Sequence, residues 1–547
     1  MIVNVIKDLF EHGQFQTIHD RLAQPDIQTK IAALSEPDQM ELSYYHSNTL
    51  ITLGDSKHGL HVATAAHTIL QATDKKSPLL LASLSSQIRA LESLGEIDQA
   101  LKLLKQGDLL LKALTMEDRA PPSVWIPVFN LIKGSFWADN NQNLALDSLS
   151  QALTSFESLD TPSHLAATLV EIGYANYHKG EYDTTVEYCQ RALAIYEKLK
   201  HNRGIASAFL IMGLVYDRKG ERDTMAEYYQ RSLTFAEASG LSRWIAVTLT
   251  YVGVVYVEKS EYDTALGYLR RSLSLAESLD DQARIADTSD IIGWAYYKKG
   301  ELEKADEYCR KSLLIANLLE NAVLQRRGLV RLIQLALSRQ DLVQAQTYLT
   351  TLQNLATRSS SEDIHFRSRL MEAMVSKASP QLTDKVQALT VLKQLVTEEH
   401  FRKRWDLAMQ SLLHLCDLLI FEARATGEEE AWEKAKTFLD QFSNRAQNKK
   451  DSEFMTEGLV LQAKFAQIDG ELQQAQTHLS EAKALAMGLD QPLIVARVEA
   501  AQTQLATDFE KSADLIRRNA PLQERLMEAR LEEYLQSAIR QVKHHHR

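Results

Sequence analysis

The chain has 547 residues, of which 45% are apolar and 24% charged, with 21 glycines, 10 prolines and a formal net charge of −11 at pH 7. This is the composition of a folded, helix-leaning protein. Its acidic balance weighs against nucleic acid or an anionic membrane as partner, because phosphate binding needs a surplus of Lys and Arg. No window approaches the roughly 18 uncharged apolar residues of a membrane-spanning helix. The cysteines Cys189, Cys309 and Cys416 have no metal-ligand spacing. A reducing, cytoplasmic setting without metal or cofactor is the expectation.

In chain order, "MIVNVIKDLFEHGQF" is charged too early for a signal segment and predicts an amphipathic helix. Glycine turns at Gly13, Gly54 and Gly95 divide residues 1–120 into loosely spaced helical units, and "EDRAPPSV" (117–124) breaks the pattern. From 121 to 356 the spacing becomes strict. "GEYDTTVEYCQRAL" (180–193) returns 40 residues later as "GERDTMAEYYQRSL", then as "SEYDTALGYLRRSL" and "GELEKADEYCRKSL". Gly173, Gly213, Gly253 and Gly293 hold one register position, and Tyr188, Tyr228, Tyr268, Tyr308 and Tyr348 another. Looser copies of the turn continue through 357–518, near Thr383, Gly427 and Gly470, for about twelve units altogether. "TRSSSED" (357–363) and "NRAQNKKDS" (444–452) read as loops. Residues 519–547 read as one capping helix over 519–543, with Leu522, Leu526, Leu531, Tyr534, Leu535 and Ile539 on one stripe, and a basic tail.

Each unit reads as two helices. Leu169, Ile172, Gly173 and Asn176 lie at i, i+3, i+4 and i+7, one face of a first helix. A glycine inside that face costs about 1 kcal/mol relative to Ala, so its return in every unit implies a neighbour that needs the space. Lys179-Gly180 ends the helix, and Glu181 and Asp183 open the next with charge that suits its N-terminal dipole. Tyr188, Ala192 and Leu193 are expected to carry that second helix's buried face. One pair cannot bury its stripe alone, whereas stacked pairs can. The prediction is an all-α, right-handed α-solenoid.

"IMGLVYDRKGERDTMAEYYQRSL" (211–233) and "IIGWAYYKKGELEKADEYCRKSL" (291–313) resemble the tetratricopeptide (TPR) repeat. That pattern places Leu-Gly then Tyr in the first helix and Ala, Tyr and Ala-Leu in the second. The 40-residue spacing is similar to longer-helix TPR proteins: LGN-type adaptors, kinesin light chains and the regulatory arms of MalT-type regulators. The likeness is closest over 126–355, looser over 1–110 and 410–490, and weakest elsewhere. It implies first helices lining a concave face where ligands lie. The chaperone-type carboxylate clamp is not implied, because Tyr174, Leu214, Val254 and Trp294 stand where that clamp needs Asn.

Beside the core stripe runs a second one: Val170, Tyr174 and Tyr177; Leu210, Leu214 and Asp217; Thr250, Val254 and Val257; Asp290, Trp294 and Tyr297. A helix with a single buried face would carry polar residues there. Two readings stay open, a groove for a peptide with apolar anchors or burial between adjacent first helices. Asp217, Asp287 and Asp290 would bias such a groove towards a basic partner. The Arg326, Arg327, Arg331, Lys298, Lys299, Arg310 and Lys311 cluster reads as a solvated face, as does "HFRKRW" (400–405). "KHHHR" (543–547) reads as a frayed end. No phosphate loop, HExxH or GxSxG is present in the sequence. The function expected is therefore non-enzymatic: a scaffold or adaptor that binds a peptide or helix of a partner protein. The alternative is a regulatory module whose superhelix takes a small molecule or short peptide and controls a separate effector.

Overall fold

The computed structural model describes residues 2–116, 123–138, 141–159, 161–219, 221–359, 361–398, 405–449, 452–487, 492–529 and 531–542. Among them all regular structure is helical, in successive antiparallel pairs. The chain is an α-solenoid, and it falls into two compact units, Met1–Tyr256 with Asp263–Ile291 and Val257–Tyr262 with Ile292–Arg547.

The joints follow a 20-residue metre that the sequence shows only in part. Gly180 (φ 84°), Lys200 (52°), Gly240 (66°), Ser260 (62°), Asp280 (51°), Gly300 (87°), Glu320 (50°) and Gln340 (60°) all turn left-handed. At Gly180 the amide bonds Tyr177 O, and the Glu181 amide reaches back to Asn176 O, each at 3.0 Å. This bonding satisfies carbonyls the helix Pro162–Lys179 would otherwise leave open.

The mid-helix glycines meet the second helix of their own pair. A Cβ on Gly173 would come 3.1 Å from Cys189 Sγ, on Gly213 2.4 Å from the Tyr229 ring, and on Gly253 2.6 Å from Leu269. In the second unit, a Cβ on Gly293 would come 2.5 Å from Cys309 Sγ. Cys189 and Cys309 are thus small buried side chains against glycines, and burial pushes the Cys189 thiol up to about 12. The buried face of helix Tyr182–Leu199 is Thr185, Cys189, Ala192 and Tyr196, so the stripe lies one residue round from the Tyr188, Leu193 assignment. The recurrent tyrosine serves a different contact: Tyr228 stacks on Tyr216 and Tyr268 on Tyr256, with ring centroids 5.2 Å apart in each pair.

In the first unit the helix Ile2–Glu11 forms as expected, with Val3, Ile6 and Phe10 buried. With Phe15–Leu22 it makes a hairpin on Glu36–Leu53. Glu11 accepts a 2.8 Å bond from the Ser163 amide, and its carboxylate lies 3.4 Å from His164 Nδ1. A Cβ on Gly13 would sit 2.8 Å from the His201 ring. Elsewhere the turn at Gly54 touches Leu279, Lys57 lies 3.8 Å from Asp280, and Arg243 donates to Ser93 Oγ. Repeats far apart in sequence therefore meet, and this unit curls back on itself.

In the second unit the single capping helix expected over 519–543 is two, Leu522–Glu528 and Leu531–Val542. The cause is the spacing between Leu526 and Leu531. Five residues of unbroken helix would rotate the second leucine about 140° from the first, whereas a break lets both enter one core. Leu531–Val542 lies on the first helices Trp405–Thr426 and Ser452–Asp469. The loop expected at 444–452 is helical to Lys449, while the one at 357–363 is present between Thr357 and Glu362. Arg310 pairs with Asp306, Lys299 with Glu301 and Arg326 with Asp363, so these members of the basic cluster are engaged with carboxylates. Residues 117–122, 220, 360, 400–404, 450, 451, 530 and 543–547 of the stretches singled out above lie outside the described residues.

Candidate ligand pocket

The curl of the first unit leaves space between its N-terminal helices and the inner faces of its repeats. Two adjoining chambers of about 430 and 440 Å³ share Ile51, Arg89, Glu92, Arg203, Ser207 and Trp244. Phe10, Phe15 and Tyr44 line the first chamber. A further hollow of about 360 Å³ lies by the Gly54 turn and Leu279.

Arg203 and Arg243 reach the pocket because each follows the first residue of its helix, Asn202–Lys219 and Ser242–Glu258. They occupy the same register position in successive 40-residue repeats. Arg89 comes from Leu79–Leu94 and donates from Nη1 to Asn48 Oδ1 at 2.6 Å. Arg243 Nε lies 3.3 Å from Asp281, and Arg284 pairs with Asp287 at 2.9 Å. The Arg203 guanidinium sits 5.6 Å from the Phe15 ring centroid and 5.4 Å from that of Trp244. Burial, and next the Arg89 charge, push Arg203 down to about 10, which leaves it fully cationic at neutral pH. Burial, then the Arg203 charge, hold His201 at about 4. Burial works to raise Glu11, but its interaction with the nearby His164 ring and its bond from Ser163 outweigh this and hold it below the usual range.

Of the second-stripe residues, Val170, Tyr174, Leu210 and Leu214 line the second chamber. The others are placed elsewhere. Tyr177 is buried and accepts from Arg218 Nε at 2.9 Å. Val254, Val257, Asp290 and Trp294 are buried, the last beneath Arg331 and Lys298. Thr250 bonds Ser272 at 2.8 Å, and Tyr297 lies 2.9 Å from Ser338 Oγ. Asp287 is ion-paired, and Asp217 is half-buried away from the chambers. Arg89, Arg203, Arg243, Glu171 and Trp244 were missed by sequence reasoning. The recurrence of Arg at 203 and 243 is the one signal that could have revealed part of the site.

Paired helices with small residues at their crossings and stacked neighbours define a TPR-type solenoid. More particularly, residues 174–491 match the MalT-like TPR region, and the chain belongs to that family. No curated protein matches it. Among solved structures it is similar to a Rap protein complexed with Competence and Sporulation Factor. That match has 17% identity and a TM-score of 0.47, and covers 66% of this chain and 99% of that one. It is also similar to the apo form of the quorum sensor NprR from B. thuringiensis, at 13% identity and a TM-score of 0.46, covering 68% and 99%. No helix among the described residues is long and apolar enough to cross a membrane.

Proposed function

We propose that the first unit is a sensing module: it takes a short peptide or small molecule into the pocket and through that occupancy governs a separate partner protein. The observation that carries this reading is the pocket itself, in which apolar and aromatic side chains alternate with convergent charged and polar groups around the volume of a small ligand. Val170, Tyr174, Leu210 and Leu214 would supply the apolar contacts. The ligand would join N-terminal helices to repeats distant in sequence, so its binding energy would favour the curled form over any more open one. The scaffold reading, a helix laid along an open groove, draws less support, because Val254, Val257 and Trp294 are buried.

The test is retention of a ligand. The full chain is equilibrated with the low-molecular-mass fraction of a cell extract and examined by native mass spectrometry, beside Ser207→Trp, which fills the shared wall of the chambers. A bound species on the parent chain and none on the variant is the expected result. A bare parent chain, or equal retention by both, would sink the proposal.

A further inference from the structure

One cation in the pocket lacks the anchoring that its neighbours have. Arg203 lies with aromatic rings on it, Phe15 and Trp244, and makes no hydrogen bond or ion pair with any described residue. Arg89, Arg243 and Arg284 are each tied to an oxygen of the protein, as described above. A half-buried cation with no hydrogen-bonded carboxylate is less favourable than a paired one, and the positive end of its own helix adds to the cost for Arg203. The surrounding structure nevertheless holds it at the junction of both chambers.

The lining also says how much negative charge would be welcome. Arg89, Arg203 and Arg243 face the first chamber with Glu92 and Glu171, and the Glu171 charge is felt at Arg203. Arg243 is already balanced by Asp281, and Glu92 and Glu171 stand against Arg89 and Arg203, so the lining disfavours a dianion such as phosphate. A guanidinium edge presents two parallel N–H groups that match a planar carboxylate.

We propose that Arg203 is the anchor for a carboxylate of the pocket's ligand, with Arg89 and Arg243 supplying supporting charge. This rests on the sensing-pocket reading. The carboxylate could belong to the C-terminus of a short peptide or to a free carboxylic acid, and the two sources are separable by experiment.

The full chain is titrated calorimetrically with a pool of tetrapeptides lacking acidic side chains, with the same pool amidated at the C-terminus, with glutarate and with inorganic phosphate. At least one carboxylate probe is expected to bind, and the stronger of free-acid peptide and glutarate identifies the source. Amidation is expected to weaken peptide binding at least tenfold if the peptide is the source. Arg203→Gln, with its helicity checked by circular dichroism, is expected to weaken the winning probe at least tenfold. Arg203→Lys, which keeps charge but loses the fork, should fall between. Glu171→Gln should tighten binding, and this variant leaves the arginine in place should Arg203→Gln disturb folding. Equal binding of free and amidated pools, unchanged by Arg203→Gln, overturns the carboxylate anchor and leaves the pocket reading intact. Phosphate outcompeting every carboxylate overturns it as well. Binding by none of the probes also overturns it, and ligand retention from extract then decides the pocket reading separately.

Discussion

The two units treat the inner faces of their first helices in opposite ways. In the C-terminal unit, Leu531, Leu535, Ala538 and Ile539 of the last helix fill that face. Gln536 bonds Asp417 at 2.8 Å, and Lys464 Nζ lies 4.3 Å from the Tyr534 ring centroid. In the N-terminal unit the facing helices approach and stop, leaving chambers lined with arginines and aromatic rings. The charges on the filled face are buried with partners, Lys377 on Asp417 and Arg497 on Glu457, whereas Arg203 on the hollow face has no ion pair with a described residue, and sealing it away from water would be costly. The same repeat thus gives a filled face or a hollow one according to a few side chains near the helix starts.

The largest expected effect comes from emptying the filled face. Leu535→Asp buries a charge where Leu535 is 1% exposed, and should cost about 4 kcal/mol. Hydrogen exchange should show lost protection over 405–469 and little change over 160–210. Equal loss in both regions would break the contrast between the units.

The hollow unit should have its own acid sensitivity. His201 ordinarily titrates near 6.5 and is held at about 4 in the fold. Between those values the unfolded chain binds a proton that the folded chain refuses, so stability is whole above 6.5 and falls as pH drops towards 4. The loss is about 3 kcal/mol. Lowered Glu11 acts in the same direction as pH falls below its ordinary 4.5. Exchange protection over 160–210 should fade with acid more steeply than over 405–469, and His201→Phe should flatten that slope.

The packing shared by both units is tested by Gly253→Ala and Gly293→Ala. The added methyl would meet Leu269 at 2.6 Å in one and Cys309 Sγ at 2.5 Å in the other. Overpacking of about 2 kcal/mol should exceed the roughly 1 kcal/mol gained in helix propensity. Similar losses of thermal midpoint would show one frame under two inner faces. The smallest effect should be stabilising: Lys200→Gly and Glu320→Gly relieve left-handed side chains at φ 52° and 50°. Each should add about 0.5–1 kcal/mol, and a lowered midpoint in either would contradict the joint geometry.

Much of this was legible beforehand. Gly173 and its repeats marked the helix crossings because a missing side chain in a helix must be explained by a neighbour. Other features depended on side chains whose role is not local. Tyr188 looked like core because it recurs, yet the buried stripe passes through Cys189 beside it. The second stripe was ambiguous because an apolar residue on a second helix face serves an open groove and a helix contact equally well.

The sequence by itself determined the helix pairs, their 40-residue register and the all-α stack, since these follow from short-range periodicity and nearest-neighbour burial. Only the tertiary structure decided which inner face is hollow. That depends on Phe15 meeting Arg203, Glu11 meeting Ser163 and Ser93 meeting Arg243. These contacts join residues about 150 or more positions apart, beyond what the repeat's own period can encode.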